Sequence, residues 1–236
     1  MKDWISYRLS DLLLFSPRTY YRMFELYHDD VWPAQLVAAA IAIAMLALLR
    51  RNDRWSDAAV AGIAAACWMW VAVAFHTRRY AAINPAARYF GALFIAQALI
   101  LVWIGVLRRR VSFGRTGDAP MWTLPVMLIA LLAPPLVGRA AERTWSQVEL
   151  VGLTPDATAL ATIGLLLVAS PPAPRVLMVA PLVWCVAAGA TLWALGAAEA
   201  RVMIVGGLVA FLAMLRRPRS LARMPGEAAA RTPSRR

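Results

Sequence analysis

Apolar residues fall into seven long runs separated by short polar or proline-rich breaks. The runs extend from about Trp32 to Leu49, Asp57 to Thr77, Pro85 to Leu107, Ala119 to Val137, Pro155 to Ser170, Arg175 to Gly196 and Arg201 to Leu215. A helix of about 20 apolar residues spans a bilayer. The pattern therefore predicts an all-α protein: a polytopic helical membrane bundle of about seven transmembrane helices. The fifth and seventh runs are the shortest, and one of them is a candidate re-entrant segment. Ahead of the runs, residues 1–31 read as an amphipathic interfacial segment. It opens with a piece from Trp4 to Phe15. A second piece begins at Ser16-Pro17, where Ser caps and Pro takes the first helical position. In that piece Tyr20, Phe24, Tyr27 and Val31 share one helical face. Aromatic amphipathic helices suit the headgroup layer. Residues 32–215 form the bundle, and 216–236 read as a disordered basic tail that could touch anionic lipid.

Composition agrees with this class. The chain of 236 residues is 61% hydrophobic and only 16% charged, against about 25% charged in soluble domains. The net charge of +12 is no sign of nucleic acid, because the arginines cluster at run ends and in the tail. Placing the C-terminus inside puts fifteen Lys and Arg on the inner side and ten on the outer side. The positive-inside rule then predicts an outer N-terminus and an inner C-terminus. The expected location is a bacterial inner membrane.

No run carries an Asp, Glu, Lys or Arg at its centre. A central charge would usually mark an ion or proton path, so its absence speaks against a carboxylate-coupled exchanger at midplane. Asp57 and Asp156 sit at helix starts, where capping accounts for them. There is no Gly-rich phosphate loop, no His-Glu-x-x-His pattern, no Ser nucleophile elbow and no Cys-x-x-Cys. The chain leans away from enzymes, and these patterns leave the cofactor unknown.

What chemistry remains gathers between Trp68 and Gln97. Here His76, Asn84, Gln97, Trp68 and Trp70 accompany two membrane-length runs, and they are the candidate solute-site residues. His76 shares a stripe with Ala65, Met69 and Ala72, and small residues on a stripe favour close helix packing, so His76 is expected to face the bundle. The plainer readings are a hydrogen-bonded interfacial His76, an Asn84 that caps the next helix before Pro85, and a Gln97 that bonds across the bundle. His28 lies among Glu25, Asp29 and Asp30. Together His28, His76, Glu25 and Asp29 are metal candidates at the outer mouth. Cys67 and Cys185 lie inside apolar runs and read as small buried hydrophobes. The alternative for them is a soft-metal site with Met69 and Met178. The most polar connection, residues 139–156, holds Arg139, Glu142, Arg143, Gln147, Glu149 and Asp156.

The chain resembles a family of bacterial multi-pass membrane proteins of unknown function, sometimes loosely labelled permeases. The matching features are Tyr27 with Trp32-Pro33 and Gln35, Phe75-His76, Ile83-Asn84-Pro85-Ala86-Ala87, Phe90-Gly91, Phe94 and Gln97. They cover about residues 17–107 and fade afterwards. The resemblance implies an inner-membrane location and brings no activity. Three functions stay open: a small-solute permease or channel near His76, Asn84 and Gln97; a non-catalytic subunit that binds a partner protein through residues 1–31 or 139–156; and a metal- or cofactor-binding protein using His28 and His76. The lipid bilayer is the one partner all three share.

Overall fold

The computed structural model describes residues 13–51, 53–113, 123–169 and 172–215. The piece from Trp4, most of it before Leu13, and the basic tail from Arg216 lie outside the described residues. So do the start of the fourth run and the Ser170-Pro171 break.

Among the described residues eight α-helices follow one another: α1 (Pro17–Asp30), α2 (Ala34–Leu49), α3 (Arg54–Trp70), α4 (Ala87–Leu101), α5 (Thr123–Ala140), α6 (Pro155–Leu167), α7 (Val176–Ala194) and α8 (Ala200–Leu215). Among the described residues there is no strand, only an isolated bridge between Phe113 and Ala169. Three helical stretches among the described residues are long and apolar enough to cross a membrane: Arg54–Ala82, Ala87–Leu107 and Val176–Ala194. They become four if α1 and α2, which meet at 88°, are taken as one bent span. α2 and α6 are shorter than the runs suggested, with 16 and 13 residues, and α8 has 16.

Local chemistry sets the helix ends. Ser16 accepts from the Thr19 backbone N–H and opens α1. Asp53 accepts from Trp55 and Ser56 N–H and opens α3. Asp57 is therefore not the cap. It is buried and accepts from Ser112 Oγ at 2.9 Å and Phe113 N–H at 2.8 Å, so it ties the 108–113 segment to α3. α3 continues into a π-helical turn, Val71–Thr77, and α4 into another, Val102–Leu107. Thr77 Oγ1 donates to Ala72 O at 2.8 Å within the first of these turns. Such wide turns are rare and recur at functional sites.

The connections sort to two ends. At one end Tyr27 OH donates to Leu153 O, Gln147 reaches Glu25, and Arg143 pairs with Glu199. At the other end Ser112 holds Asp57, Phe113 bridges Ala169, and Arg175 Nε donates to Met214 O. α6 lies between connections that belong to the two ends. It is about 20 Å long, and every residue from Pro155 to Leu166 is buried. The 147–154 segment dips into the bundle to meet it, and Gly152 (φ +82) lies against Cys67. Irregular backbone inside an apolar bundle is tolerated only within protein or along a cavity, and Val151 to Thr154 are buried here.

The outer surface of the helices is apolar. Val102, Ile129, Leu136, Val186, Val205 and Leu212 are all exposed. Exposed Trp residues mark the ends: Trp32, Trp145 and Trp193 at one, Trp55 and Trp103 at the other. Arg139 lies over Trp145, Arg109 over Trp55 and Arg108 over Trp103. An apolar band between Trp and Arg girdles is what a bilayer requires.

Candidate functional site

His76 lies fully buried in the wide turn that ends α3. Phe94 and Trp184 meet its ring at 4.6 and 4.9 Å between centroids, and Tyr80 and Phe90 stand slightly farther out. Neither ring nitrogen has a hydrogen-bond partner. Gly91 permits the closeness: a Cβ there would stand 3.5 Å from His76 Cβ and 3.3 Å from Thr77 Oγ1. His76 thus points into the bundle, as its stripe predicts.

The other expected solute-site residues are largely engaged. Trp68 donates to Thr162 Oγ1 at 2.7 Å and packs against Phe94 with its ring tilted, 4.2 Å between centroids. Trp70 donates to Tyr27 OH at 3.0 Å and is half exposed. Gln97 donates to Leu177 O at 2.8 Å across the bundle, which leaves its Oε1 unpartnered. Asn84 bonds Tyr80 OH and the Ala86 N–H, so it closes the turn before α4. His76 and Gln97 face the core of the bundle, while Asn84 and Trp70 stand at its rim.

The expected metal residues do not assemble. Glu25 binds Arg22 and Gln147. His28 sits beside Tyr27 on α1, Asp29 is exposed, and His76 is enclosed by rings. Cys67 lies against the Gly152 loop, whereas Cys185 lies against Gly207 on α8; both are free thiols. Among the described residues no group of three His, Cys, Asp or Glu is arranged to hold a metal ion.

A second polar cluster lies beyond Trp184. Trp184 Nε1 donates to Asp156 Oδ1 at 2.8 Å. Asp156 opens α6 but makes no capping bond there; its carboxylate reaches Trp184, 28 residues away. Glu149 faces Asp156, and Glu199 is next to both. Together with Tyr21, Gln147 and Leu192 they line a cavity of about 20 Å3, room for one water-sized guest. Glu149 Oε2, Asp156 Oδ2, Glu199 Oε2 and the Tyr21 hydroxyl are sealed from solvent without hydrogen-bond partners. The nearest cation is Arg143, whose Nε stands 3.4 Å from Glu199 Oε1 while its guanidinium covers the Tyr21 ring. Burial first, then Asp156 and Glu199, push the Glu149 carboxyl well above the usual carboxylate range. Two neighbouring carboxyls away from water resist ionising together.

Sequence reasoning passed over this cluster. It named Glu149 only as part of a polar connection and Asp156 only there and as a helix cap. The available signal was that the connections holding Glu149 and Glu199 fall on one side of the predicted topology.

A family model, a family of unknown function (DUF6064), matches residues 18–224. The chain belongs to that family, and the match extends well past the residues that carried the resemblance. No curated protein and no solved structure matches the chain.

Proposed function

We propose that this protein is a seven-helix permease of the bacterial inner membrane that binds a water-sized monovalent cation, a proton or ammonium, in the carboxyl pocket of Glu149, Asp156 and Glu199. One observation carries the reading: four sealed oxygens, three of them carboxylic, surround a cavity at the buried start of α6 and lack partners. An unpartnered buried polar group is costly, and transport proteins place ligand sites where irregular chain meets helix ends inside a bundle. The cavity is too small for an organic solute. The pocket replaces His76, Asn84 and Gln97 as the polar centre, with His76 one aromatic ring away through Trp184.

Seven crossings, α2 to α8, are supported by the sorting of connections to two ends and by the Trp and Arg girdles. The arginine count supports an outer N-terminus, which puts the carboxyl pocket at the outer half of the bundle. A partner-binding subunit is less well supported. The two surfaces it would use, α1 and the 139–156 connection, pack against each other through Glu25–Gln147 and Tyr27–Leu153.

The test is electrophysiology on solid-supported proteoliposomes, with jumps of proton or ammonium concentration. Wild-type protein should give a current above empty liposomes for one of the two ions, and Asp156→Asn with Glu149→Gln should abolish it. No current above empty liposomes for either ion overturns the proposal. A current unchanged in the double variant overturns the site.

A further inference from the structure

A groove of about 450 Å3 runs between α1 and the turn that ends the Arg54–Ala82 stretch. Arg18 and Arg22 line it from α1, and Arg78 and Arg79 line it from the turn. Its remaining wall is apolar: Met23, Leu26, Ala82 and Ile83. Two of the four guanidiniums have carboxylates of their own, Arg22 with Glu25 and Arg79 with Asp30. Arg18 and Arg78 are exposed and have no carboxylate partner among the described residues. The groove thus keeps an excess of two positive charges beside exposed apolar side chains.

We infer that this groove binds the phosphodiester of an anionic phospholipid, with the phosphate on Arg18 and Arg78 and the glycerol and first acyl carbons over Leu26 and Ile83. Three observations converge on a lipid and not a soluble anion. The groove stands where an apolar helix ends, which is headgroup depth for a spanning helix. α1, which forms one wall, is the amphipathic helix of the fold and meets α2 at 88°. The groove also sets fork-shaped donors, which match phosphate geometry, directly beside Leu26, 44% exposed. A free phosphate would gain nothing from that apolar wall.

Bound there, the lipid would clamp α1 to the end of α3. That junction carries Phe24 against Phe75 and the Trp70–Tyr27 bond, so it closes the bundle mouth over the Leu153 segment. This inference is independent of the permease reading.

The experiment is native mass spectrometry of delipidated protein titrated with phosphatidylglycerol, phosphatidylcholine or inorganic phosphate. Wild-type protein should hold one phosphatidylglycerol in preference to phosphatidylcholine. The Arg18→Gln/Arg78→Gln variant should weaken that binding about thirtyfold, as two basic residues at an anionic surface predict. Arg50→Gln/Arg51→Gln, at the other end of α2, should leave it unchanged. Melting in phosphatidylcholine alone checks folding. If the double variant melts differently there, Arg18→Gln and Arg78→Gln are measured singly, each expected to cost about fivefold. Undiminished binding in these variants overturns the inference, as does displacement of the lipid by millimolar phosphate.

Discussion

Trp184 donates its indole N–H to Asp156 Oδ1 at 2.8 Å while its ring edge packs on His76, 4.9 Å between centroids. One side chain of α7 therefore joins the carboxyl pocket to the aromatic cage around His76. Trp184→Phe keeps the ring contact and removes the donor. Asp156 would then be left with a second unpartnered oxygen in a buried site. The expected cost is about 2–3 kcal/mol, read as a lower melting temperature in detergent. Asp156→Asn in the same chain should recover part of it, because an amide tolerates the missing donor better than a carboxylate. Additive costs in that cycle would show that the two residues do not interact.

The carboxyl pocket gives stability a defined pH dependence. The Glu149 carboxyl is raised in the folded state, by burial first. The folded chain therefore holds this proton more tightly than the unfolded chain does. The resulting stabilisation is fully present below the unfolded value of about 4.3 and is lost as pH rises through the folded value. The melting temperature should fall as pH is raised from about 5 towards neutrality and above. Glu149→Gln removes the ionisable group and should flatten that slope. A melting temperature that rises with pH, or a slope unchanged by the substitution, would contradict the buried acid pair.

Much of this architecture was legible in the chain. The apolar runs located α2 to α8, and the stripe of Ala65, Met69 and Ala72 aimed His76 inward, where it is fully buried. The runs misjudged lengths for a physical reason. Hydropathy reports which residues avoid water and not whether they meet lipid or protein. α6 is enclosed by other helices along its whole length, so it had no need of about 20 residues. The carboxyl pocket was illegible because its members come from separate connections. Asp156 follows Thr154-Pro155 and looks like an ordinary helix opening. Only the fold brings Trp184 to it, and only the fold places Glu199 beside Glu149. Asp57 was read as a cap for the same reason: a cap is local, and the Asp57–Phe113 bond spans 56 residues.

That bond makes a prediction at the opposite end of the bundle. Asp57→Ala leaves the Phe113 N–H and the Ser112 hydroxyl without their acceptor. Loss of two hydrogen bonds to a buried carboxylate should cost about 3 kcal/mol. The 108–113 segment should come loose before the rest of the bundle does. Limited proteolysis in detergent should cut there faster in the variant, whereas Asp53→Ala, which removes only a cap, should cost about 1 kcal/mol and leave the cutting pattern as it was. Equal cutting in wild type and Asp57→Ala would remove the tether.

His76 separates stability from function. Both ring nitrogens are buried without partners among Phe94, Trp184, Tyr80 and Phe90. A buried polar group with no partner destabilises the fold, and an apolar ring of similar shape removes that penalty. His76→Phe should therefore melt about 1 kcal/mol higher than wild type, while His76→Ala should lose about 3 kcal/mol to the cavity left behind. Residues that weaken a fold where a better packer exists are expected at working sites. If His76 takes part in moving the cation past Trp184, His76→Phe should be the more stable protein and the less active one in the proton and ammonium jumps. A stabilised variant with full current would make His76 a packing residue and confine the cation's path to the carboxyl pocket. A destabilised His76→Phe would mean that one ring nitrogen is hydrogen-bonded in the membrane, which a nitrogen NMR shift of the labelled imidazole reads directly.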